Sequence, residues 1–185
     1  VLGEISRAKD SLRDPAVYEQ EAGADFRLKL VAKAYTAYQQ RLKEADAMDF
    51  DDLIVNTVKL FETCPDVLEY YQHRFRYIMV DEYQDTNHAQ YKFISLLSAA
   101  HRNLCVVGDD DQRKYKFRGA TIENIMNFEK EYPTAKVIRL EPNYRATQNI
   151  LHAANAVIAN HAPKKDHTLV TDNGEGDNPR RRPPE

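Results

Sequence analysis

Apolar residues recur at three- and four-residue steps through the first part of the chain, the signature of helices with one buried face. Leu28, Val31, Tyr35, Tyr38 and Leu42 fall on one such face. Asp49 stands where an N-cap belongs, and Leu53, Ile54, Thr57, Val58 and Phe61 predict a second amphipathic helix behind it. Cys64-Pro65-Asp66 ends that helix and opens another, because proline is well tolerated at the first helical position. From Tyr77 the pattern changes to short apolar runs that stop abruptly. Tyr77-Ile78-Met79-Val80 halts at Asp81-Glu82, and Leu104-Cys105-Val106-Val107 halts at Gly108-Asp109-Asp110-Asp111. A third run, Val137-Ile138-Arg139-Leu140, precedes Glu141-Pro142-Asn143-Tyr144-Arg145. Helical periods fill the gaps over 89–100, 121–131 and 147–160. Strands alternating with helices predict an α/β fold, a parallel sheet covered by helices, with a helical segment in front.

A length of 185 residues suits one domain or parts of two, and 42% apolar with 30% charged residues describes an ordinary globular chain. The net charge of −3 means that any nucleic-acid surface must be local. No apolar run approaches the ~20 residues of a membrane span, and no charged-then-apolar leader opens the chain. Cys64 and Cys105 form no spaced cluster, which argues against a disulfide framework or a zinc knuckle and makes a reducing cytoplasm the expected location. The six histidines are scattered, without metal-site spacing. Residues 177–185, rich in arginine and proline, read as a disordered or appended tail.

Ligands of open parallel sheets bind beyond the carboxyl ends of the strands, which is where both acidic clusters fall. An Asp81-Glu82 pair suits nucleotide hydrolysis: one carboxylate anchors a hydrated Mg2+ and the other orients or deprotonates water. The same pair also simply ends a strand and begins a polar turn. Gln112 could meet a terminal phosphate or the attacking water, or face solvent. Tyr115, Phe117 and Arg118 make either a platform for stacking bases or a buried strand edge. In Asn143-Tyr144-Arg145 the arginine suits a transferred phosphoryl group and the tyrosine an adenine face; the alternative is a surface ion pair.

The order of these clusters carries a resemblance. Asp81-Glu82-Tyr83-Gln84-Asp85-Thr86-Asn87 resembles motif II of the UvrD/Rep/PcrA helicases, superfamily 1 DNA helicases and translocases. Gly108-Asp109-Asp110-Asp111-Gln112 with Tyr115-x-Phe117-Arg118-Gly119-Ala120 resembles motif III, and Asn143-Tyr144-Arg145 resembles motif IV. Met48-Asp49-Phe50-Asp51-Asp52-Leu53 is similar to the segment before motif II, and Thr171-Asp172-Asn173-Gly174-Glu175-Gly176 to the segment after motif IV. The resemblance implies a partial RecA-like P-loop NTPase fold and an ATP-dependent helicase moving 3′ to 5′, with ATP and Mg2+ as cofactors and single-stranded and duplex DNA as partners. It implies Asp81 as the magnesium ligand, Glu82 as the catalytic base and Gln112 as the γ-phosphate sensor linked to DNA. Tyr115 and Phe117 would stack on bases with Arg118 in support, Tyr144 would stack on adenine, and Arg145 would be an arginine finger. Residues 1–74 would close a helical insertion domain, 75–138 would belong to the first RecA-like domain, and 139–176 would begin the second. DNA repair or replication is the implied setting.

Three features depart from the family pattern. None of the six glycines opens a G-x-x-x-x-G-K-[ST] loop, so the chain reads as a piece of a helicase and is expected to lack ATPase activity alone. Exposed strand edges are then expected to drive self-association. Arg113-Lys114 replaces the usual Ser-Ile of motif III, and Pro142 stands where glutamine is common. Other readings compatible with these residues are a non-catalytic helicase-like module that binds DNA or protein, part of a helicase–nuclease subunit, and a carboxylate-metal nuclease built on Asp81, Asp109 and Asp111.

Overall fold

A computed structural model describes residues 1–109, 128, 130–159 and 169–177. The chain divides into two compact units, Val1–Pro133 and Thr134–Glu185. In the first, five helices come in succession: α1 (Leu2–Asp10), α2 (Pro15–Ala22), α3 (Phe26–Glu44), α4 (Phe50–Thr63) and α5 (Pro65–Arg74). Strand β1 (Ile78–Val80), a 3-10 turn (Tyr83–Asp85), α6 (His88–Ser98) and β2 (Leu104–Val106) complete its regular structure among the described residues. The second unit contains α7 (Gln148–Ala159).

Side-chain oxygens fix where the helices start. Asp14 accepts the Val17 amide at 2.9 Å and Asp25 the Leu28 amide at 3.0 Å, each satisfying an otherwise orphaned donor. Asp49 and Asp52 form a reciprocal capping box at the start of α4, and Asn87 and Gln90 do the same for α6. Pro15 and Pro65 occupy first-turn positions, where a missing N–H costs nothing.

Ile5, Ala8, Tyr18, Val31, Ala32 and Tyr35 build the core that joins α1, α2 and α3, with the Tyr35 hydroxyl donating to the Arg13 carbonyl at 3.1 Å. On α4 the buried face is Asp52, Val55, Val58 and Phe61, and the Phe61 ring stacks on Phe93 of α6 at 5.9 Å. The sequence period puts Leu53 and Thr57 inward; Leu53 is exposed instead. Asp52 lies on the buried face, where its carboxylate meets a cation from α1. Lys9 is only 1% exposed, and its Nζ lies 2.6 Å from Asp49 Oδ2 and 2.8 Å from Asp52 Oδ1. The Tyr38 hydroxyl donates to Asp49 at 3.0 Å and the Gln39 amide to Asp52 at 3.2 Å. A buried lysine is tolerated here because two carboxylates and their own donors surround it.

The expected parallel pairing forms between β1 and β2, in register Ile78 to Leu104, Met79 to Cys105 and Val80 to Val106. Alternation turns Met79 and Cys105 outward, leaving Met79 84% exposed. α6 crosses between the strands, as a parallel connection requires. Among the described residues the third apolar run, 137–140, forms no strand and pairs with no other segment, and Val137, Ile138 and Leu140 are exposed. An apolar run becomes a strand only where a neighbour takes up its backbone hydrogen bonds. In the second unit the described pairing is a single parallel bridge, Pro142 to Val170. Most of the helical period at 121–131 lies outside the described residues, as does the 178–185 part of the expected tail. Cys64 and Cys105 are free thiols. Among the described residues no helix is long and apolar enough to cross a membrane.

Candidate functional site

Because β1 and β2 run parallel, both carboxyl ends open on one edge, and Asp81-Glu82 and Gly108-Asp109 leave the sheet there. The ladder continues past the strands. Val107 N–H donates to the Val80 carbonyl at 2.8 Å, and Tyr83 N–H donates to the Val107 carbonyl at 2.9 Å. The chain after β1 is thereby folded back against the end of β2. That reversal passes through Glu82, whose φ of 50° and ψ of 41° lie in the left-handed region. A non-glycine residue there is uncommon and strained. Asp81 Oδ1 accepts the Glu82 amide at 2.9 Å, and the Glu82 carbonyl accepts the Asp85 amide at 2.9 Å, so both sides of the strained residue are bonded.

Tyr83 and Gln84 anchor this turn from below. Tyr83 is 2% exposed and meets the Phe128 ring edge-on at 5.8 Å. Burial, reinforced by the charge of Glu131, pushes its phenol up to about 12. Gln84 is buried and uses both ends of its amide. Its Nε2 donates to Glu82 Oε2 at 2.5 Å, and its Oε1 accepts the Asp109 backbone amide at 3.0 Å. One side chain therefore holds the Glu82 carboxylate and ties it to the loop after β2. Sequence reasoning places Gln84 within a motif but assigns it no role. The available signal is its place two residues after an acidic strand end, where a tight turn brings the side chain back under the carboxylate.

Asp81, Glu82 and Asp109 are thus gathered at one sheet edge. Gln112, Tyr115, Phe117 and Arg118 lie outside the described residues, as do Asp110 and Asp111. Among the described residues no three His, Cys, Asp or Glu side chains converge as a metal cage. An exposed carboxylate such as Asp81 nevertheless suits Mg2+, which keeps most of its waters and binds through one or two carboxylates plus phosphate oxygens.

Tyr144 and Arg145 belong to the second unit and are exposed, the tyrosine by 85%. Asn143 Oδ1 accepts the Arg145 amide at 2.9 Å and the Ala146 amide at 2.8 Å, a side-chain-capped turn that leads into α7.

Comparison with known proteins agrees with this geometry. The UvrD/REP helicase N-terminal domain matches residues 1–133, and the UvrD-like helicase C-terminal domain matches residues 138–182. The ATP-dependent DNA helicase PcrA of Staphylococcus aureus is 52% identical over 176 residues, covering 95% of this chain and 24% of that protein. The ATP-dependent DNA helicase PcrA of Staphylococcus epidermidis is 52% identical over the same shares. The chain therefore spans about a quarter of the length of the curated relatives it matches. With a UvrD/REP domain match over the greater part of its length, and strands that deliver an Asp-Glu pair to one sheet edge, the chain belongs to the UvrD/Rep helicase family.

Proposed function

We propose that the chain carries part of the ATP site and part of the single-strand track of an ATP-dependent 3′–5′ DNA helicase, and that alone it does not turn over ATP. The observation that supports this best is the Asp81-Glu82 pair at the carboxyl end of parallel strands, with Glu82 fastened by the buried amide of Gln84. In this reading Asp81 would hold the magnesium ion, which would supply positive charge to neutralise the phosphates. Glu82 takes the proton of the water that attacks the γ-phosphorus as the bond to the ADP oxygen breaks. Gln112 touches the γ-phosphate, Tyr144 stacks on adenine, and Arg145 meets the charge developing on the transferred phosphoryl group. Tyr115 and Phe117 stack on single-stranded bases, with Arg118 beside them. The change from first to second RecA-like domain falls near residue 138. Single-stranded and duplex DNA are the partners, and copies of the chain associate through the open sheet. The basis for inactivity is the lack of phosphate-cradling backbone donors and their lysine in this sequence.

The test pairs hydrolysis with binding. ATP turnover by the 185-residue chain is expected to match that of Glu82→Gln, with or without a single strand. DNA-stimulated turnover that the substitution abolishes would overturn the inactive reading. A fluorescent single strand is expected to bind at low salt and to bind more weakly in Tyr115→Ala and Phe117→Ala, since each stack is worth ~1–3 kcal/mol. Absence of binding at low salt would remove the track from this chain.

A further inference from the structure

Within the second unit, Tyr144 and Arg145 are exposed, yet the backbone around them is held by hydrogen bonds on both sides. Asn143 caps the Arg145 and Ala146 amides, and most of the remaining ties come from one short segment. Asn173 Nδ2 donates to the carbonyls of Tyr144 at 3.1 Å and Ala146 at 3.2 Å, and the Thr171 hydroxyl donates to the same Ala146 carbonyl at 3.1 Å. Asn173 is itself aimed by its own amide, which donates to Thr171 Oγ1 at 3.1 Å. The carbonyls of Gly174 and Glu175 accept the amides of Gln148 and Asn149 at 3.3 and 3.1 Å, taking up free donors at the start of α7. Asn149 returns a bond to the Gly176 carbonyl at 2.9 Å. Upstream, the Asn143 amide donates to the Val170 carbonyl at 2.7 Å.

Gly176 closes the strap and tolerates no side chain. Its φ is +66°, and a Cβ there would lie 2.5 Å from Thr147 Oγ1 and 2.6 Å from Thr147 Cβ. The Thr147 backbone starts the first turn of α7, its carbonyl accepting the Leu151 amide at 3.1 Å, so the threonine has little room to move.

We propose that Thr171–Gly176 is a positioning strap for the nucleotide contacts of Tyr144 and Arg145, with the Asn173 amide as its central residue. The proposal rests on the reading of Tyr144 and Arg145 given above. It rests also on an asymmetry: the strap grips the carbonyls on both sides of Arg145 and the helix amides beyond, while neither the phenol nor the guanidinium is bonded among the described residues. A loop that presents free functional groups needs its backbone fixed by something other than those groups, since catalytic placement tolerates only small errors. Asn173 does this with two donors on one planar amide, which sets the spacing between the carbonyls of residues 144 and 146.

Two measurements test this. In the 185-residue chain, Asn173→Asp removes both donors at constant volume and sets a carboxylate against two carbonyl oxygens. Amide exchange at Arg145, Ala146, Gln148 and Asn149 is expected to accelerate roughly tenfold or more, with exchange across α1–α6 unchanged. Unchanged exchange at those four amides would overturn the strap. Function is read in Staphylococcus aureus PcrA carrying residues 134–177 of this chain in place of its own. There Asn173→Asp is expected to raise KM for ATP roughly tenfold, and Tyr144→Ala in the same background to add little, because one variant already misplaces what the other removes. If Tyr144→Ala and Arg145→Ala each impair turnover while Asn173→Asp, or fully additive effects, leave no sign of coupling, the positioning role is overturned and the nucleotide reading stands. If Tyr144→Ala and Arg145→Ala change neither KM nor kcat, that reading falls and takes the proposal with it.

Discussion

At the scale of single residues, the packing of the helices depends on side chains whose partners lie far away in sequence. Lys9 is held by Asp49 and Asp52 across 40 residues and more, and no local pattern announces such a pairing. Burial alone raises the Asp49 carboxyl, but hydrogen bonds from Lys9, the Asp52 amide and Tyr38 outweigh it and hold the group below its ordinary value. A lowered carboxyl gives stability that is present above the unfolded value and is lost as pH falls through the folded one. Melting of the first unit is therefore expected to be level down to about pH 4 and to weaken below it. Lys9→Met leaves two carboxylates without their cation and is expected to cost about 3–5 kcal/mol. The Asp52 amide and Tyr38 still oppose burial at Asp49, so the loss of stability in acid should shrink in that variant, and chemical denaturation at pH 7 and pH 3 reads the shallower slope. Gln84→Leu removes the bonds to the Glu82 carboxylate and to the Asp109 amide, and is expected to speed exchange at that amide. Protection unchanged at Asp109 would contradict the bridge.

At the scale of elements, the helix starts are the most legible. Asp49 is recognisable as an N-cap from its position alone, and Pro65 as a first-turn residue; both stand so. The expected helices 89–100 and 147–160 appear as α6 and α7 with ends shifted by one or two residues, as fraying termini allow. Caps and helical periods are local, which is why they can be read from a string. The two short runs that form β1 and β2 are legible because each stops at an acidic cluster, and the sheet edge bearing Asp81 and Glu82 comes with them. The run at 137–140 looks the same in sequence, but a strand is a property of two segments, and its apolar side chains stay exposed. The face of α4 is misjudged by its period for a related reason: the period counts only apolar residues, whereas the buried stripe there begins with Asp52. Gln84 and the strap from Thr171 are equally invisible as roles, since each depends on which backbone groups a turn brings within reach.

At the scale of the whole molecule, the sheet has two strands among the described residues and leaves open edges. Met79 and Cys105 face outward, Tyr77 and Val107 are exposed beside them, and among the described residues β1 and β2 pair with each other alone. An open edge with an apolar face invites further pairing. Sedimentation across a hundredfold range of concentration is expected to show the chain associating, and Met79→Lys to reduce it. A compact monomer throughout would exclude association by this route. The left-handed backbone at Glu82 bears on how such a chain would fare under selection for stability. Glycine at position 82 would relieve a conformation that costs an L-residue about 1–2 kcal/mol. A library screened only for heat resistance should therefore enrich Glu82→Gly, and a higher melting midpoint for that variant checks this. The enriched sequence would have lost the carboxylate to which the proposed function assigns the attacking water. Durability and that proposed role pull in opposite directions at this one codon.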